Sequence, residues 1–215
     1  MKSSWYFLLL AILLTAVFTA VHFFTDFAYQ VHTLVLLIGV TYMSRRLVNL
    51  QHIALMLFIL TIIELMLVQY IINMGLAAPL PNAFIFSTHF LLDLITLLFF
   101  KYRVRLSLRY IRLTNPDNWR SVYITHADPI LYGIFFAFIV VDLAAFGENL
   151  IRYMDFFFGV SEEASKPYWS WSWVYKNYEI LKSILLALVL TTILATIFVE
   201  RQRPDTPDEE LDSES

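Results

Sequence analysis

Glu64, Asp93 and Asp142 are carboxylates set inside long apolar stretches, and His89 stands one helical turn before Asp93 in NAFIFSTHFLLDLITLLFFK, residues 82–101. An ionised carboxylate at the centre of a membrane helix costs roughly 2.5–3.5 kcal/mol on insertion scales. Such groups must be protonated, hydrogen-bonded to one another, or neutralised by a bound cation. Side chains that take up and release protons, or hold a cation, are what a proton-linked or cation-permeation path requires.

Depth along the apolar runs groups the three acids. At about 1.5 Å per residue, Asp93 lies about 15 Å into its run, and Glu64 and Asp142 fall at similar levels. No Lys or Arg is expected in that slab, because Lys182, the nearest, falls at the outer end of the last run. Helical spacing adds a polar stripe of Asn82, His89, Asp93 and Thr96, and places Asp142 and Asn149 on one face. His32, His22, Asp26, Asn73 and Glu148 lie toward the outer surface. The pattern predicts an outer polar vestibule leading to a central carboxylate cluster, with His89 and His32 as outer relays. The plain alternative is that these groups only bind helices together, at about 0.6 kcal/mol each.

Sharper motifs are few. His22–Asp26 and His89–Asp93 share H-F-x-x-D, a spacing that could clamp a divalent metal. Inversion of one half onto the other would not superpose them, so the echo reads as chance. His32 and His89 lie at similar depth and could be axial ligands of a haem, a third functional reading. There is no H-E-x-x-H, G-x-S-x-G, Walker loop or TVGYG filter. With no cysteine either, the chain points away from an enzyme.

The elements that must position these residues are membrane helices. Of 215 residues, 59% are hydrophobic and 15% charged, too oily for a soluble domain of this size. Six runs approach the roughly 20 residues a helix needs to cross hydrocarbon. They cover about 5–24, 27–43 (a short one), 53–74, 83–100, 130–150 and 178–199, within a single membrane domain, 1–200. The first is read as a span and not a signal peptide, because it is too long for an h-region. The link TDFA makes the first two an antiparallel hairpin.

Orientation follows from the basic residues. With the N-terminus inside, Lys2, Arg45, Arg46, the basic residues of 101–120, Arg201 and Arg203 are cytoplasmic. Only Arg152, Lys166, Lys176 and Lys182 are outside. The expected fold is therefore an all-α bundle of six spans with both termini cytoplasmic.

The basic cytoplasmic loop, 101–128, is expected to extend the fourth helix or lie at the interface, with Lys101, Arg105, Arg109 and Arg112 on one face for anionic lipid or a partner. Asp128 and Pro129 read as N-cap and N1 of the fifth span. Trp169, Trp171 and Trp173 with Tyr168, Tyr175 and Tyr178 read as an outer aromatic belt. The tail, 201–215, is acidic and expected to be disordered.

The expected function is small-scale proton- or cation-linked transport in a bacterial inner membrane. The alternative is a non-catalytic subunit or scaffold of a larger complex. The expected partners are lipid and a protein partner or second copy; nothing points to nucleic acid.

Overall fold

A computed structural model describes residues 29–114 and 116–201, with isolated helical positions between Tyr6 and Ala20. The first expected span lies for the most part outside the described residues. So do the link to the second span, His22, Asp26 and the tail beyond Arg201. The described residues form helices and no strand.

Five long helices carry the structure: α1 (Tyr29–Met43), α2 (Val48–Asn73), α3 (Leu80–Thr114), α4 (Ala127–Arg152) and α5 (Trp173–Arg201). The last four are long and apolar enough to cross a bilayer, which marks the chain as an integral membrane protein. At 15 residues, α1 is about 22 Å long, short of the roughly 30 Å hydrocarbon core. Among the described residues, four helices thus reach spanning length, and α1 stands as a shorter apolar helix at the place of the second expected span.

Every spanning helix exceeds its apolar run, because polar residues at the ends continue the backbone pattern. The largest excess is in α3, whose 35 residues extend about 52 Å. Its final turns, from Lys101 to Thr114, are the basic stretch expected to extend this helix or lie at the interface. A short 3-10 turn, Pro116–Ser121, then leads to α4. That helix begins at Ala127, so Asp128 sits in its first turn and is not its N-cap.

Short connections make neighbouring helices antiparallel. One end of the bundle gathers the end of α1, the start of α2, the end of α3 and the end of α5, with most of the basic residues. The other end carries the Trp-rich loop between α4 and α5. There α2 runs out toward Gly75 at φ +63°, a left-handed conformation that L side chains rarely adopt. Packing follows chain order from α1 to α5, and α5 returns to α1, closing a ring.

Two apolar layers fill that ring. The larger, toward the basic end, includes Leu37, Leu50, Ile53, Leu57, Phe100, Leu131, Phe135, Phe138, Leu190 and Ile193. Phe100, Phe135 and Phe138 stack at 5.6 and 5.2 Å. The smaller, toward the Trp-rich end, joins Phe86, Ala145 and Tyr178. Outward-facing Ile59, Ile63, Leu91, Ile95, Phe136, Val140 and Leu188 are exposed, as lipid contact requires. The polar site lies between the two layers.

Candidate functional site

Four helices supply the site: Glu64 from α2, His89 and Asp93 from α3, Asp142 from α4, and Tyr178 and Lys182 from α5. The i,i+4 spacing on α3 and again on α5 turns both residues of each pair inward, one above the other. Asp142 and Lys182 are 0% and 2% exposed.

The contacts form a chain. Lys182 Nζ donates to Asp93 Oδ2 at 2.7 Å and to Asp142 Oδ1 at 3.0 Å. The Tyr178 hydroxyl donates to the same Asp142 oxygen at 2.7 Å. On its other side that hydroxyl meets His89 Nδ1 at 2.5 Å. His89 Nε2 faces Glu64 Oε1 at 3.4 Å. The ammonium also lies 4.6 Å from the centre of the Phe138 ring, a cation–π contact that helps hold charge away from water.

The sequence expectation of three acids without a positive counterpart is overturned by Lys182. Its helix begins at Trp173, a full turn earlier than the apolar run implied, so Lys182 lies about 13 Å along the axis from that end. Tyr178 is likewise misplaced in an aromatic belt, because it is buried inside the cluster. The structure brings Glu64, Asp93, Asp142 and His89 together, as their spacing suggested. It does not bring in His32, which is half-buried on α1 and joins none of the cluster's bonds, while its neighbour Thr33 reaches the cavity wall. Both His89 nitrogens face protein groups, which opposes the haem reading. Among the described residues no three His, Asp or Glu side chains converge as a metal site.

A cavity of about 40 Å³ adjoins the cluster on its basic-end side. Glu64, Asp93 and Lys182 line it, with the Thr33, Thr61 and Thr96 side chains and a sleeve of leucines. Thr61 and Thr96 donate their hydroxyl hydrogens back to Leu57 O and Leu92 O. Their oxygens are thereby left as acceptors, and the space is large enough for about one to three waters. His89, Tyr178 and Asp142 stand behind this wall, toward the Trp-rich end.

A second buried pair lies at the basic end. The Arg103 guanidinium binds Asp128 in bidentate fashion, Nε to Oδ1 and Nη2 to Oδ2. It also donates to Asn49 Oδ1 at 3.1 Å and Tyr123 O at 2.6 Å. Thr125 N and Oγ1 donate to Asp128 Oδ2 at 2.6 and 2.9 Å. Asn49 Nδ2 donates to Ser121 O at 2.8 Å, and the Tyr123 hydroxyl donates to Glu200. This node ties α2, α3, α4 and α5 to the segment 116–125. From sequence, Arg103 looked like one more surface charge. Lys101, Arg105, Arg109 and Arg112 are exposed around it.

Comparison with protein-family models, curated proteins and solved structures found no match.

Proposed function

We propose that the protein binds and passes protons within the bilayer, through the chain Glu64–His89–Tyr178–Asp142, with Lys182 and Asp93 as its charge balance. One observation carries this reading: Glu64, His89, Tyr178 and Asp142 line up through the buried site, each within 3.4 Å of the next. A neutral imidazole and a phenol supply the hydrogens of its two hydrogen bonds, Nδ1–H to the Tyr178 oxygen and Tyr178 O–H to Asp142. His89 Nε2 then faces Glu64 with its lone pair, able to take a proton that Glu64 brings in.

Moving each hydrogen by one contact carries that proton across the cluster. Glu64 gives its proton to His89 Nε2, Nδ1 gives its hydrogen to the Tyr178 oxygen, and Tyr178 gives its own to Asp142. No heavy atom need travel far. Lys182 limits the charge that accumulates, because its ammonium offsets Asp93 and Asp142 while the proton is elsewhere. Glu64 faces the water-sized cavity, so it is the group that exchanges protons at the basic end.

This reading goes with six spans, both termini and the basic end in the cytoplasm, and residence in a bacterial inner membrane; the basic residues support that orientation. A second reading, a membrane subunit that holds a partner, is favoured by the exposed basic face of α3 from Lys101 to Arg112.

Liposomes loaded with a pH-sensitive dye separate the two. Under a proton gradient, the wild type should move protons, and Glu64→Gln and Asp142→Asn should reduce the rate by at least about tenfold. Equal rates in wild type, variants and empty liposomes would remove the proton reading and leave the subunit reading, which a pull-down in mild detergent then tests.

A further inference from the structure

Asn149 is the one side chain among the described residues whose amide nitrogen and oxygen are both buried without a hydrogen-bond partner. It is 2% exposed and lies on α4 two turns from Asp142, toward the Trp-rich end. A dry amide forfeits two donors and an acceptor, a cost that native structures rarely accept without water or a ligand at hand. Asp142 Oδ2, also buried, is a second oxygen on the same helix with no partner.

Between these two positions α4 turns Ala145 and Phe146 inward, packed with Phe86 and Tyr178. Next to Asn149, Glu148 accepts from Arg152 at 2.7 Å and from Val174 N at 2.8 Å, tying the first turn of α5 to α4. The same Glu148 lines an open cleft of about 480 Å³ with Ser170, Trp171, Trp173 and Lys176. The relay thus has a water-sized cavity at its Glu64 end. Beyond its Asp142 end, past the layer of Phe86, Ala145 and Phe146, stands a second unmatched polar group, the Asn149 amide, next in sequence to the cleft residue Glu148.

We infer that Asn149 is a water-binding station on α4, placed between Asp142 and the cleft at the Trp-rich end. Its role in proton passage rests on the proposed function, but the water site itself does not. A bound water takes about three hydrogen bonds, and the amide supplies two donors and an acceptor for it. Asp142 lies about 10 Å away along the helix, so a proton leaving it crosses further waters before reaching this one, and Asp142 returns to its carboxylate.

The chain has no cysteine, so a single introduced thiol reports water access cleanly. Asn149→Cys is treated in sealed proteoliposomes with a membrane-impermeant methanethiosulfonate added from either side. Trp173→Cys marks the Trp-rich side, and Ala187→Cys, at a 0% exposed position of α5, marks dry core. Asn149→Cys should react from the Trp173 side at least about tenfold faster than Ala187→Cys. If that variant does not fold, the proton flux of Asn149→Leu against Asn149→Ser carries the test.

Proton flux should fall in Asn149→Leu and persist in Asn149→Ser. A thiol at 149 as inert as that at 187, or full flux in a folded Asn149→Leu, overturns the inference. Rapid labelling in a protein whose wild type moves no protons upholds the water site and overturns the proton reading instead.

Discussion

Two buried cation–carboxylate nodes stand at different heights in one bundle, and they are built to opposite standards. At the basic end, Arg103 and Asp128 are saturated: the guanidinium reaches both Asp128 oxygens, Asn49 Oδ1 and a carbonyl, and Asp128 takes two further donors from Thr125. In the middle, Lys182 serves two carboxylates, Asp142 Oδ2 has no partner, and His89 Nε2 meets Glu64 only at 3.4 Å. A planar guanidinium fixes geometry and never gives up its proton, whereas an ammonium on a flexible stem can follow shifting charge. The first node reads as architecture, and the second has the loosely bonded groups that the proposed proton path needs.

The largest effect should come from breaking the saturated node. Arg103→Met leaves Asp128 buried without its cation, and should lower unfolding stability by about 3–5 kcal/mol, read from thermal unfolding in detergent. Lys182→Met should cost clearly less, because on the proposed reading Asp93 and Asp142 can take up protons in its place. The same change should abolish proton flux. Equal destabilisation by the two substitutions would erase the distinction between the nodes.

Tyr178→Phe sharpens the comparison from the other side. It removes one oxygen and keeps the ring against Phe86, where the centroids are 5.0 Å apart. The loss in stability should be about 1–3 kcal/mol, since His89 and Asp142 each lose a partner. Flux should fall at least about tenfold, because no other group bridges the two. A folded Tyr178→Phe that conducts normally would show that protons reach Asp142 without His89.

Much of the mid-membrane site was legible because its acids break long apolar runs. Depth counted at about 1.5 Å per residue was enough to place Glu64, Asp93 and Asp142 together. Lys182 and Tyr178 were not legible for a reason of the same kind. The polar and aromatic residues before them look like loop, so the helix seemed to start at Tyr178, and a Lys near a helix end is expected to snorkel. Recognising that WVYKNYEILK is already helical would have placed both residues inside.

The Arg103 node was hidden differently. A single Arg among Lys101, Arg105, Arg109 and Arg112 carries no local mark of burial. It is buried because the segment 116–125 folds back over α3, a tertiary event that composition does not encode. His32 was drawn in by depth alone, and depth does not say which way a helix face points.

The exposed basic residues should give the smallest effect and set the baseline for both nodes. Arg105, Arg109 and Arg112 flank Arg103 in sequence but stand outside its network. Their replacement by Gln should each change unfolding stability by no more than about 0.5 kcal/mol. Near an anionic leaflet, each basic residue contributes about 1 kcal/mol of attraction. The anionic lipid retained per purified chain, measured by mass spectrometry, should therefore drop stepwise through the single, double and triple variants, with proton flux unchanged. If one of these substitutions instead destabilised the fold as Arg103→Met should, charge at this end would act collectively, and the contrast between a saturated pair and its solvated neighbours would no longer explain why Arg103 alone is buried.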